Sequence, residues 1–172
     1  MAWTRDLLNL SYVQRWVIAP TTRPQTVAEH SFRVAAIVWG LHSALQLPLF
    51  NLSDAILLAL EHDREEVYTG DTPGTAKDRI KAWTNPDHMM NWERVVKVAD
   101  AIETYDWWQR WGMKEWTHPD APAKGDQNRD IRKIIHYCQG WPELLEAAKN
   151  VMHHSMGYGI LELEQTFGHG TD

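Results

Sequence analysis

The segment Ala55-Ile56-Leu57-Leu58-Ala59-Leu60-Glu61-His62-Asp63-Arg64-Glu65-Glu66 decides how the rest of the chain is read. Ala55, Ala59, His62, Asp63 and Glu66 recur at helical spacing, so one helix face runs from small apolar residues into polar ones. The small residues leave room beside the polar end. An apolar helix seldom carries a histidine and two acids together without a partner for the charge, and a metal ion is such a partner. Upstream, Thr26-Val27-Ala28-Glu29 has the form of a capping box. It opens a helix to about Leu47, on which His30, Val34, Ile37 and Leu41 share a side. Downstream, a helix spans about Asn91 to Trp108, with Val96, Asp100 and Ile102 facing inward. His30, the His62-Asp63 pair and Asp100 thus stand on three helices, which are rigid enough to converge four ligands on one ion. Two imidazoles with two carboxylates suit Mn²⁺, Fe²⁺, Co²⁺ or Zn²⁺ better than Ca²⁺.

A single histidine on an apolar helix face is ordinarily a hydrogen-bonded core residue, so the combination and not His30 alone carries the metal reading. His42, His88, His118, His136, His153, His154 and His169 have no matching constellation and are assigned to surface or core. The remaining pattern is also helical. A first helix is expected from Asp6 to Trp16 with Thr4 as its cap, broken by the stretch Ala19 to Pro24. Ser53 is expected to cap the third helix, which ends near Tyr68 before the turn formers Thr69-Gly70-Asp71-Thr72-Pro73-Gly74. Gly112 to Gln127 reads as a long loop. Ile131, Ile134, Ile135 and Cys138 pattern a further helix, and Pro142 opens the last one. No repeat or low-complexity stretch interrupts the chain. The expectation is an all-α fold of about six or seven helices in one domain, residues 1–172.

Composition narrows the function. At 172 residues the chain can bury a single core, and the lone Cys138 excludes a disulfide framework. No apolar run is long enough to span a bilayer, and Met1-Ala2-Trp3-Thr4-Arg5-Asp6 has no signal-peptide core, so the cytoplasm is expected. Lysine plus arginine total 17 against 23 acids, a net charge of −6, opposite in sign to a duplex-binding surface. Neither nucleic acid nor membrane is expected as a partner. An anionic substrate must be met by local positive charge. Ten tryptophans are many for this length, and those near 107–116 stand in polar surroundings. They are expected to mark subunit contacts of a homo-oligomer, a dimer or hexamer.

The string His62-Asp63-Arg64-Glu65-Glu66-Val67-Tyr68-Thr69-Gly70-Asp71-Thr72-Pro73 stands with Arg15-Trp16, Ala28-Glu29-His30-Ser31, Lys77 and Val96-Lys97-Val98-Ala99-Asp100-Ala101. In these segments the chain resembles the HD-domain phosphohydrolases, specifically the YfbR-like branch of bacterial 5'-deoxynucleotidases and related phage dATP triphosphohydrolases. The resemblance implies that His30, His62, Asp63 and Asp100 bind one divalent transition metal (Zn, Co or Mn), with additional Mg on the phosphates. It implies that Glu66 works on the nucleophilic water and that Asp71 positions water or substrate. Glu66 lies three and four residues beyond the His62-Asp63 pair, a spacing that projects it over the same ion.

Arg15, Lys77 and Lys97 are the phosphate-binding residues so implied, with Arg79 and Lys81 extending the positive patch. Trp16 is associated in such proteins with a preference for 2'-deoxyribose, because an indole against the sugar leaves no space for a 2'-hydroxyl. Ile18 is expected to line the base pocket. The implied activity is metal-dependent hydrolysis of a small-molecule 2'-deoxynucleotide, foremost dATP and water giving deoxyadenosine and triphosphate. The alternatives are a deoxynucleoside 5'-monophosphatase and, from another class, a non-catalytic nucleotide sensor or scaffold.

Overall fold

The computed structural model describes residues 2–17, 21–45, 51–71, 83–113 and 127–168. In chain order the elements are α1 (Ala2–Asn9), a 3-10 turn (Leu10–Tyr12), α2 (Val27–Leu45), α3 (Leu52–Glu61), the single turn α4 (Glu66–Thr69) and a second 3-10 turn (Pro86–His88). They continue as α5 (Asn91–Trp111), α6 (Gln127–Cys138), α7 (Pro142–Met156) and α8 (Ile160–Gly168). Among the described residues, seven helices reach eight residues or more. Strand-like pairing there is limited to two isolated antiparallel bridges, Gln14 with Thr26 and Thr21 with Gly112. The all-α expectation holds.

Helix starts follow local chemistry. Thr26 Oγ1 accepts the Glu29 N–H at 3.1 Å and opens α2, while the Glu29 carboxylate turns outward to Arg23 at 2.7 Å. Only half of the capping box therefore forms. The cap of α3 is Asn51 and not Ser53: its side chain accepts both the Ser53 N–H at 3.1 Å and the Ser53 hydroxyl at 2.6 Å. At the start of α5, Glu93 accepts the Met90 N–H at 2.8 Å.

The core is built where these helices meet. Val34, Val38 and Leu41 of α2, Ala55 and Ala59 of α3, and Val95, Val98, Ala99 and Ile102 of α5 are buried with Ile134 of α6 and Leu144, Ala148 and Met152 of α7. Alanines at 55 and 59 let α3 lie close to α2 and α5. Closeness there brings the start of α2 and the end of α3 against the middle of α5.

Four expectations are corrected. The first helix begins at Ala2, with Thr4 inside it, and stops at Asn9. Residues 13–16 leave the helix because they pair with the chain before α2: Arg15 N–H donates to Gln25 O at 2.8 Å and Val27 N–H to Val13 O at 2.9 Å. The third helix does not run on to Tyr68, since 62–65 form a turn between α3 and α4. A helix follows the one opened by Pro142: Gly157, at φ 84°, ends α7, and α8 docks through buried Leu163 and Phe167. Trp107 is not surface but fully buried, with the guanidinium groups of Arg23 and Arg33 over its ring at 4.8 and 5.4 Å. Ile18, Lys77, Arg79 and Lys81, and most of the expected loop from Gly112 to Gln127, lie outside the described residues.

Candidate metal centre

The turn after α3 is what gathers the site. His62 N–H still reaches Leu58 O at 2.8 Å, but the next bonds tighten, with Arg64 N–H on Glu61 O at 2.9 Å and Glu66 N–H on Asp63 O at 3.0 Å. His62 thereby joins His30 of α2 and Asp100 of α5 in a group whose ligand atoms all lie within 4.8 Å of one another, and Asp63 borders the two imidazoles. His30 Nε2 is 3.2 Å from His62 Nε2, 3.2 Å from Asp100 Oδ1 and 3.6 Å from Asp63 Oδ2. His62 Nε2 is 3.3 Å from Asp63 Oδ2 and 3.9 Å from Asp100 Oδ1. Ligands bound tetrahedrally at the usual zinc distances stand about 3.3 Å apart. The donor set fits a divalent ion.

Both imidazoles are turned for that task. His62 Nδ1 faces Ala59 O at 2.9 Å and His30 Nδ1 faces Glu103 Oε2 at 2.6 Å, so each donates its Nδ1 proton outward and presents Nε2 to the cluster. Charge is distributed unevenly over the cluster. Burial and Arg15 work against charge on His30, but Glu103 and Asp100 prevail and raise its pKa to about 9. Burial lowers that of His62, with His30 adding to the effect against the pull of Asp63 and Asp100. Burial alone would raise Asp100, yet its hydrogen bond and charge interaction with His30 hold it well below the usual carboxylate range.

Glu103 is the hub behind the cluster. Besides His30, its carboxylate takes Arg33 Nε at 2.7 Å and Gln25 Nε2 at 2.8 Å, with an Arg15 nitrogen at 3.5 Å. Burial opposes its ionisation, but His30 and the two arginines lower its pKa to about 2. Sequence reasoning missed Glu103, Gln25 and Arg33. The one available signal was the spacing Asp100-x-x-Glu103, which sets two acids one turn apart on one helix face.

The other singled-out residues surround this hub. Trp16 is half-buried at φ 64°, a conformation that costs a bulky residue on the order of 1–3 kcal/mol. It is held there by Asp71 Oδ2, which accepts its backbone N–H at 2.9 Å, and by Gln25 Oε1, which accepts its indole N–H at 2.8 Å. Arg15 lies over its ring at 5.3 Å and Trp108 packs beside it at 5.7 Å. Glu66 is buried at 4% exposure in the first turn of α4. Lys97 shares with His62 a cavity of about 290 Å³ whose walls include Leu58, Thr84, His88, Met89, Glu93 and Val96. His88, assigned no role from the sequence, borders it.

Residues 2–86 match the family described as 5'-deoxynucleotidase YfbR-like. The chain is a relative of the HD-domain phosphohydrolases of that branch. It is 32% identical over 127 residues to a dATP triphosphohydrolase of Salmonella phage PMBT28, covering 60% of this chain and 64% of that relative. With a 5'-deoxynucleotidase of Vibrio parahaemolyticus it shares 30% identity over 98 residues, 55% of this chain and 47% of the relative. It therefore spans less than two thirds of the length of these curated relatives. A solved structure, the Cyanophage S-2L HD phosphohydrolase DatZ bound to dA and one catalytic Zn²⁺ ion, matches 96% of this chain and 92% of its own at a TM-score of 0.54 and 22% identity. That likeness establishes the HD-domain fold. Among the described residues no helix is long and apolar enough to cross a membrane.

Proposed function

We propose that the chain is a metal-dependent phosphohydrolase of 2'-deoxynucleotides whose leading reaction converts dATP and water to deoxyadenosine and triphosphate. The observation that carries this reading is the cluster of His30, His62 and Asp100, with Asp63 beside both imidazoles, next to a cavity that Lys97 and His62 share. The names of the phage and bacterial relatives support it.

His30, His62, Asp63 and Asp100 would hold one divalent transition ion, zinc, cobalt or manganese, and the zinc of DatZ favours the first. When bound, such an ion lowers the pKa of water and polarises a phosphoryl oxygen. Glu66 orients the attacking water and takes its proton. Lys97, with Lys77 and Arg15, meets the phosphoryl oxygens where negative charge builds, and magnesium accompanies the phosphate tail. Asp71 positions water or substrate and fixes the Trp16 backbone at 2.9 Å. Water oxygen joins the α-phosphorus, and the 5'-oxygen leaves with a proton as deoxyadenosine. Trp16 packs against the sugar, where a ribose hydroxyl left without a partner costs about 1–3 kcal/mol. The base-selecting role, rejection of a purine 2-amino group, is assigned to Ile18, which lies outside the described residues.

A second reading, a deoxynucleoside 5'-monophosphatase, is favoured by the family that residues 2–86 match. It uses the same donors and the same water. A sensor or scaffold would not need a water-activating acid, the role assigned to Glu66. We further propose a cytoplasmic homo-oligomer, dimer or hexamer, because Phe32 and Trp39 on α2 are 69% and 62% exposed and offer apolar surface to a second copy. Chromatography of products from dATP, dAMP, ATP, dGTP and 2-amino-dATP tests the reading. Triphosphate from dATP at the highest efficiency supports it, phosphate from dAMP as the dominant product favours the monophosphatase, and no product from any nucleotide overturns both.

A further inference from the structure

We infer that Gln25 is the positioning residue for the Trp16 indole, and that it sets how strongly the site discriminates 2'-deoxyribose from ribose. The inference rests on the proposed place of Trp16 at the sugar. Among the described residues Trp16 is the single non-glycine residue at positive φ, and it is only half-buried. A bulky side chain held in that conformation outside the core is a mark of function, since core packing does not require it.

Gln25 grips this segment twice. Its backbone oxygen accepts the Arg15 N–H at 2.8 Å, and its side-chain oxygen accepts the Trp16 indole N–H at 2.8 Å. Its amide nitrogen donates to Glu103 Oε1 at 2.8 Å. The indole nitrogen can only donate and an ionised carboxylate can only accept, so the amide between them has one permitted orientation. Gln25 is fully buried, which keeps water from replacing either bond. No other uncharged side chain of this length supplies an acceptor to the indole and a donor to the carboxylate. The ring is thereby fixed about its own axis, and an indole free to turn would open space at the sugar.

The test compares wild type with Gln25→Met, Trp16→Phe and the double variant. Each is assayed for kcat/KM on dATP and ATP, equilibrium affinity for deoxyadenosine and adenosine, and zinc content. Gln25→Met is expected to lower the dATP-to-ATP preference about tenfold, the scale of one lost hydrogen bond, through better use of ATP, with zinc content unchanged. In the Trp16→Phe background, which lacks the indole donor, the same change is expected to add nothing. An unchanged preference in Gln25→Met, or additive losses in the double variant, overturns the inference while leaving the functional reading intact. If Gln25→Met does not fold, Gln25→Asn takes its place, since its shorter amide cannot span the indole and Glu103 together, and an unchanged preference in it overturns the inference. Wild type that turns over neither nucleotide overturns the functional reading and this inference with it.

Discussion

Glu103 Oε2 lies 2.6 Å from His30 Nδ1, and both side chains are fully buried. The contact fixes which imidazole nitrogen faces the other donors, and the arginines around Glu103 keep it ionised for that purpose. Carboxylates behind a metal-binding histidine typically contribute 10- to 100-fold in metal affinity. Glu103→Gln is therefore expected to weaken zinc binding by about 10- to 100-fold, measured by competition with a chromogenic chelator. Wild-type affinity in that variant contradicts the positioning role.

Asp63 stands in the turn between α3 and α4, outside regular helix. Asp63→Ala should lose stoichiometric metal and turnover together while its far-ultraviolet circular dichroism stays that of wild type. Full turnover without this carboxylate would sink the four-donor assignment.

Glu66 is assigned to the water and not to the ion. Glu66→Ala should keep one metal per chain and near-normal substrate affinity but lose about 10²–10⁴ in kcat, the span of a positioned acid–base group. Loss of the metal in this variant would place Glu66 among the ligands instead.

Metal affinity should depend on pH through His30, whose metal-free pKa is about 9. Below that value binding displaces its proton, so apparent affinity rises about tenfold per pH unit from neutral pH and levels off above pH 9. The stability of the chelated protein follows the same groups. His30, raised from 6.5 to about 9, stabilises the fold fully below pH 6.5, and this is lost as pH climbs through 9. Glu103, lowered from 4.5 to about 2, stabilises it above pH 4.5, and this is lost as pH falls through 2. The two shifts share the His30–Glu103 contact, to which Asp100 adds on the histidine side and Arg15 and Arg33 on the carboxylate side. Thermal melts of chelated protein should peak between pH 4.5 and 6.5, and a Tm that climbs from pH 6.5 to 9 is the contrary result.

Much of this was legible in the sequence because it is local. The apolar spacings of α2, α5, α6 and α7 are each set by residues within a few turns, and Thr26, Pro142 and the Ala55/Ala59 pair mark their ends or contacts. His30, His62, Asp63 and Asp100 could be grouped because each sits on or beside such an element. What was missed depends on residues far apart in the chain. Gln25 and Glu103 are 78 positions apart, and no periodicity reports a hydrogen bond between them. The first helix stops early because residues 13–16 pair with 25–27, which propensity does not register. Trp107 looked exposed among polar neighbours, yet Arg23 and Arg33 reach from other segments to cover it. The short α8 follows two glycines, Gly157 and Gly159, and is fixed by docking of Leu163 and Phe167 more than by its own helical preference.

The most direct test of hydrolysis at the α-phosphorus is to run zinc-loaded protein with dATP in ¹⁸O-labelled water and weigh both products by mass spectrometry. The expected result is triphosphate carrying one ¹⁸O atom and unlabelled deoxyadenosine. Label in the deoxyadenosine, or no triphosphate at all, contradicts the proposed chemistry.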